Sequence, residues 1–235
     1  TKHFDGLAQK VRAAGEPRSS VSPAPELPKH KADQVIFIEK ADAPQSVIMF
    51  VAPGLAASAP DSSVASRANT PLGGSFTSRL NQDLREERGL TYGASSRFSF
   101  SNGPGIFIAS ASVVTDRTGE ALKAMMSDLT AYAEQGPSDE ETAKSKSLAR
   151  SDMVETFESV TQANARLSRN AGVWLPFDYE DKAAKQKDDA SKADLAKIAH
   201  GIMNPKKGFI LVVGPKTVLP QLKESGFPDV LSYTP

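Results

Sequence analysis

The hydrophobic spacing changes period within the stretch LNQDLREERGLTYGASSRFS, Leu80 to Ser99. Phe76, Leu80 and Leu84 recur every four residues and predict one apolar stripe along a helix. Gly89 ends that helix. Beyond it Tyr92, Ala94, Ser96, Phe98 and Phe100 alternate with Thr91, Gly93, Ser95, Arg97 and Ser99, which is the two-residue period of a strand. A cation, Arg85, and a phenol, Tyr92, are thereby expected at one helix-to-strand corner.

The same reading extends along the chain. QVIFIEK and QSVIMFVAPG predict two strands, expected as paired neighbours across the ADAP turn. The small-residue, mostly helical stretch from Pro60 to Leu72 runs into Gly73 and Gly74, a breaker. SNGPG marks a turn before the strand IFIASASVV, with Asn102 and Gly103 expected to supply positive φ. A helix carries Leu122, Met125, Met126, Leu129 and Tyr132 on one face, most simply core, with Gly136 as its stop. Ser138 and Glu141 form an S-x-x-E capping box that opens a helix reaching about Val160. Two shorter helices flank WLPFDYE, and a last one begins at Ser191 with Asp194 three residues on and Leu195, Ile198 and Ile202 as its stripe. Asn204-Pro205 ends it. GFILVVGP is continuously apolar and predicts a strand inside the sheet, covered by helices. This order fits an α+β fold, a two-layer sandwich of a mostly antiparallel mixed sheet covered by helices, with no internal repeat.

Phe4, Leu7 and Val11 stand at helical spacing in residues 1–14, read as the tail of a preceding domain. Residues 15–33 are rich in proline and serine and read as a connector, so the main domain is set at 34–235. The chain starts at Thr1 without a signal-like segment, as a fragment or processed product would, and the compartment is open between periplasm and cytoplasm.

Charge and cysteine content exclude more than they assign. With 28 basic and 28 acidic side chains in 235 residues, no bulk field favours nucleic acid or an acidic substrate. No apolar run approaches the ~20 residues of a membrane span, which predicts a soluble chain. Without cysteine there is no disulfide and no thiolate metal site. His3, His30 and His200 are too scattered for the paired histidines of a helical zinc site. His200, near a helix end, reads as a partner of the C-terminal dipole or a solvent-facing group. No G-x-S-x-G elbow or phosphate loop occurs, and Gly73-Gly74 lacks the lysine a phosphate cradle needs. No complete catalytic set is present.

The run LGGSFTSRLNQDLREERGLTYGASSRF resembles the pitrilysin, insulysin and mitochondrial processing peptidase family of inverted zincins, most of all its short bacterial members. In that family one half carries zinc on an H-x-x-E-H helix, and a second half of similar fold contributes an arginine and a tyrosine in the pattern L-R-x-x-x-x-L-x-Y. Leu84-Arg85 and Leu90-x-Tyr92 match that pattern. APQSVI, Asn69 before LGG, LPFDYE, SKADLAKIA and ILVVG look like further landmarks in the expected order, so the resemblance covers about Gln34 to Gly214. It departs at Trp174, where relatives more often carry glycine directly before the leucine-proline, and in length, since this chain holds only the second half and the tail of the first.

The resemblance implies the non-zinc half of a zinc metalloendopeptidase, active only with an H-x-x-E-H domain or subunit, for example as a heterodimer. The chain itself would bind no cofactor, zinc being expected on that partner, and the substrate would be a peptide or unfolded segment. Tyr92 would donate a hydrogen bond where negative charge grows on the scissile carbonyl oxygen, an effect of roughly 3 kcal/mol. Arg85 would hold a substrate backbone carbonyl. Two alternatives stay open: a scaffold like the core subunits of the respiratory cytochrome bc complex, and a peptide-binding module that offers a sheet edge without hydrolysis. Glu86, Glu87 and Arg88 read as a solvated face, and Arg79 and Asn69 as cleft-shaping or as packing residues.

Overall fold

Six strands join in one mixed sheet: Val35–Glu39 (β1), Gln45–Pro53 (β2), Thr91–Ser99 (β3), Ile106–Val114 (β4), Phe209–Gly214 (β5) and Val230–Tyr233 (β6), in the order β3-β4-β2-β5-β1-β6. This computed structural model describes residues 34–227 and 229–233. The segments 1–14 and 15–33 lie outside them, and with them His3 and His30.

β1 and β2 are not neighbours. β5 lies between them, antiparallel to β2 with Phe50 opposite Ile210 and parallel to β1 with Phe37 opposite Val212. The continuous apolar run of β5 explains its place, since a strand with partners on both sides leaves no backbone edge to water. Five residues between β1 and β2 are long enough to leave a gap one strand wide.

Alternate residues of the central strands face a helical layer. Ile48, Phe50, Phe107, Ala109, Ile210 and Val212 are buried there, whereas Val47, Met49, Leu211 and Val213 on the other face are half-buried. Among the described residues, helices therefore cover β5 closely on one face only. The helices are Ser62–Asn69 (α1), Arg79–Asn81 (α2), Thr118–Gln135 (α3), Asp139–Glu158 (α4), Val160–Gly172 (α5), Tyr179–Asp189 (α6), Lys192–Ile202 (α7) and Val218–Glu224 (α8). Leu122, Met125, Met126, Leu129 and Tyr132 of α3 are all core, as their spacing predicts. The expected capping box of Ser138 with Glu141 is formed, and Ser191, at the expected start of the last long helix, forms a second one with Asp194. The short elements α8 and β6 have no counterpart in the sequence reading.

The β3–β4 hairpin differs from expectation at its tip. Six residues, 100–105, connect the strands, and neither Asn102 nor Gly103 adopts positive φ. A loop of this length spreads the reversal over several residues, so the two-residue turn geometry is not required. The Gly103 N–H instead donates to the Ser101 hydroxyl at 3.2 Å.

One contact fixes edge strand β3 against the helices. α1 continues into a π-helical turn, Thr70–Gly74, that presses on β3 so closely that a Cβ on Gly73 would lie 2.4 Å from the Ser96 nitrogen. The Asn69 amide donates to the Ser96 carbonyl at 2.7 Å and accepts from the Ser96 hydroxyl at 2.5 Å. Gly73 thus permits close approach rather than simply ending a helix.

Candidate functional site

Arg85 stands on a π-helical turn, Gln82–Glu87, that continues α2. Leu80 and Leu84 point from this segment into the core as the four-residue spacing predicts. Phe76 does not: it is 68% exposed, because the helix begins only at Arg79 and Phe76 lies upstream in a turn closed by the Ser78 N–H on the Ser75 carbonyl at 3.2 Å. The segment ends with Gly89 at φ 61, where the Leu90 N–H returns to the Leu84 carbonyl at 2.8 Å. That left-handed residue is accessible to glycine without a Cβ clash, and it redirects the chain into β3.

Tyr92 then meets the first irregularity of β3. The register with β4 shifts between Thr91 and Ala94, a β-bulge. By strict alternation Tyr92 would share the buried face of Ala94. The extra residue lets Thr91 and Ala94 both face inward and leaves Tyr92 89% exposed. Two side chains hold the bulge. The Ala94 N–H donates to Asn81 Oδ1 at 2.9 Å, and the Thr91 hydroxyl donates to the Ser112 carbonyl at 2.6 Å while accepting the Gly93 N–H at 3.1 Å. Asn81 also donates to the Ser75 carbonyl at 3.4 Å, so one buried amide links the turn bearing Phe76 to the bulge bearing Tyr92.

Both predicted site residues therefore reach solvent beside one corner. The Arg85 guanidinium lies 4.6 Å from the centroid of the Phe76 ring and 3.6 Å from the Glu86 carboxylate. Phe76 is the residue that spacing misassigned. Its signal was local: Ser75, Thr77 and Ser78 around it are turn and N-cap residues rather than helix interior.

The neighbouring charges serve structure. Arg79 makes two 2.7 Å bonds to Glu141, lies 5.0 Å from the Tyr132 ring centroid, and so ties α2 to α4. Arg88, through hydrogen bonding to Asp83 at 2.8 Å, is held above its ordinary pKa. Asp128 on α3 is pushed up to about 7, first by burial and then by the Asp83 charge, against the attraction of Arg88 and Arg79. His200 is exposed on the last turn of α7. Among the described residues no group of His, Cys, Asp or Glu could hold a metal ion. No helix among them is long and apolar enough to cross a membrane.

The clefts between α4 and α6 and beside the start of α4 are lined by neither Arg85 nor Tyr92. At the corner Tyr92 and Phe76 stand exposed to solvent.

Sequence and fold comparisons show what the chain is similar to. An uncharacterized zinc protease of Mycobacterium leprae is 26% identical over 156 residues, covering 65% of this chain and 35% of the relative. The chain thus spans about a third of the length of the curated relatives it matches. The crystal structure of a peptidase M16 inactive domain from Pseudomonas fluorescens superposes with a TM-score of 0.79 at 24% identity, over 92% of this chain and 51% of that one. A chain of Inz-5-bound complex III2 from Candida albicans shares the fold with a TM-score of 0.72 at 13% identity, over 97% and 56%. The sequence profile described as "Peptidase M16 inactive domain" matches residues 1–148, more than half of the 235, and the chain accordingly belongs to the inactive-domain family of M16 peptidases.

Proposed function

We propose that this domain is the non-zinc half of a zinc-dependent peptidase, in which Arg85 binds the peptide and Tyr92 stabilises the charge formed during cleavage. The observation that carries the reading is the bulge at Tyr92, which lifts the phenol off the core face to 89% exposure at the head of the strand that follows the Arg85 turn. In this reading an H-x-x-E-H partner domain or subunit holds the zinc, and the chain contributes the residues that face it. When bound there, zinc supplies an activated water at neutral pH.

The phenol O–H of Tyr92 donates a hydrogen bond to the scissile carbonyl oxygen as it becomes an oxyanion, and this bond strengthens with the charge. Arg85 donates in-plane N–H bonds to a backbone carbonyl of an extended peptide and holds it in register, which lowers the entropic part of the barrier. The open corner requires the partner to close over it, excluding water from both bonds.

The test pairs the chain with its H-x-x-E-H partner and follows zinc-dependent peptide cleavage. Tyr92→Phe is expected to lower kcat about a hundredfold with peptide affinity little changed, the size of an oxyanion donor. Unaltered turnover would remove Tyr92 from the chemistry. A scaffold role is the second reading, supported by the fold shared with a chain of complex III2. Complete absence of cleavage by the wild-type pair, with the pair stable, would favour it.

A further inference from the structure

We propose that Phe76 is a positioning residue for Arg85: its ring is the platform that holds the guanidinium and leaves the N–H edge free for a peptide carbonyl. This rests on the reading of Arg85 as a peptide-binding group.

Burial does not account for Phe76. A phenylalanine 68% exposed contributes little to the core, yet its backbone is firmly placed. Its turn is closed by Ser78 N–H to Ser75 carbonyl at 3.2 Å, the Ser75 hydroxyl donates to the Thr70 carbonyl at 3.2 Å, and Asn81 reaches the Ser75 carbonyl at 3.4 Å. The ring is presented on a fixed support.

The other arginines show what is distinctive about Arg85. Arg79, Arg88, Arg117, Arg150 and Arg166 each bond a carboxylate at 2.6–2.9 Å, and Arg67 donates to backbone carbonyls. Arg85 makes no guanidinium hydrogen bond among the described residues, and Glu86 at 3.6 Å is beyond that range. Exposed Arg97 and Arg169 likewise bond no carboxylate among the described residues, but neither has an aromatic ring beneath it. Among the described residues only Arg85 combines a supported face with unused donors. A guanidinium N–H lies in the plane of the group, so support from the ring face leaves the donor edge available to a ligand. Without the ring, the side-chain torsions are free to carry the charge toward Glu86 or into solvent.

The experiment compares Arg85→Ala, Phe76→Leu and Phe76→Trp in the partnered enzyme. Phe76→Leu keeps bulk and removes the π face, and it is expected to raise KM about fivefold, the scale of an exposed cation–π contact, with kcat within about twofold. Phe76→Trp should restore the wild-type KM. In the chain by itself, NMR of the arginine Nε–H groups should show the Arg85 resonance shifted upfield by the ring, a shift lost in Phe76→Leu and kept in Phe76→Trp. If Arg85→Ala raises KM but Phe76→Leu leaves it unchanged, or if the shift is absent in the wild type, the platform is refuted while the site stands. If Arg85→Ala itself has no effect, the reading of the site falls, and the platform role with it.

Discussion

Trp174 holds its backbone at φ 58, in the left-handed region that glycine occupies at Gly89, and its side chain is 85% exposed. A side chain in that conformation costs about 1–2 kcal/mol, and so exposed an indole recovers little by burial. The glycine expected at this position by resemblance therefore has a physical reason. Trp174→Gly is predicted to stabilise the fold by about 1 kcal/mol, seen as a melting temperature higher by about 2–4 °C, while Trp174→Ala, which keeps the Cβ, is predicted to leave it nearly unchanged. Equal gains in both variants would locate the strain elsewhere. Residue types and a family pattern were enough to single out Arg85, Tyr92 and Trp174 from the sequence. The direction each side chain takes was less legible. Two-residue alternation put Tyr92 on the face of Ala94, and the Asn81 bond to the Ala94 N–H, thirteen residues away in sequence, helps fix the bulge that reverses this. Phe76 failed for a related reason: a four-residue spacing does not reveal that the helix starts three residues later.

Elements with local signals were predicted well, because capping boxes, glycine stops and 3.6-residue stripes are decided within one or two turns. The neighbours of β1 and β2 were not, since β5, which separates them, arrives more than 150 residues later and its pairing leaves no trace in their own pattern. Packing between elements likewise sets the charge state of α3 against the Arg85 turn. Asp128 Oδ2 is buried without a hydrogen-bond partner among the described residues, and the charged groups acting on it are Asp83 and Glu87 of the π turn together with Arg79 and Arg88. Its carboxyl, ordinarily at 3.8, is pushed up to about 7. The folded chain therefore holds this proton more tightly than the unfolded one. Below about pH 4 both states are protonated and Asp128 costs nothing; as pH rises to about 7 the unfolded state ionises first, and stability falls until the folded state ionises as well. Asp128→Asn should flatten this slope. The variant is predicted to match the wild type at pH 4 and to exceed it at pH 8 by about 1 kcal/mol, a value reduced for solvent screening at a partly exposed site. Denaturant titrations at the two pH values measure it, and a constant difference at both would show that ionisation is not the cause.

At the scale of the whole molecule, burial is unevenly shared between a sheet half and a helical half. α3 buries ten residues, whereas α4 buries only Ser145 and α5 only Asn170. Polar contacts from α1 reach α4 and the end of α6. Arg67 of α1, 2% exposed, donates to the Thr142 carbonyl at 2.8 Å, the Ala190 carbonyl at 2.9 Å and the Ser145 hydroxyl at 3.2 Å, and α1 in turn is clamped to β3 through Asn69. This route connects α4 and α6 to the strand that bears Tyr92 and bypasses α5. α5 depends on Glu180 of α6, which accepts from Arg166 at 2.8 Å and from Asn170 at 2.5 Å. Burial works against the Glu180 charge, but the bonds from Arg166 and Asn170 outweigh it and hold the carboxyl below its usual range. Its contribution is thus present above the unfolded-state value of 4.5 and disappears as pH falls through the lowered folded value. Removing two bonds to a charged acceptor costs about 2–3 kcal/mol, enough to open α5 locally without unfolding the core. Glu180→Ala is predicted to speed amide hydrogen exchange in α5 by about thirty- to a hundred-and-sixtyfold, with β2, β4 and β5 unchanged and the Arg85–Tyr92 corner intact. Acceleration spread equally over α5 and the sheet would mean that the two halves open as one unit, and that the corner depends on the helical half more directly than the Arg67 route implies.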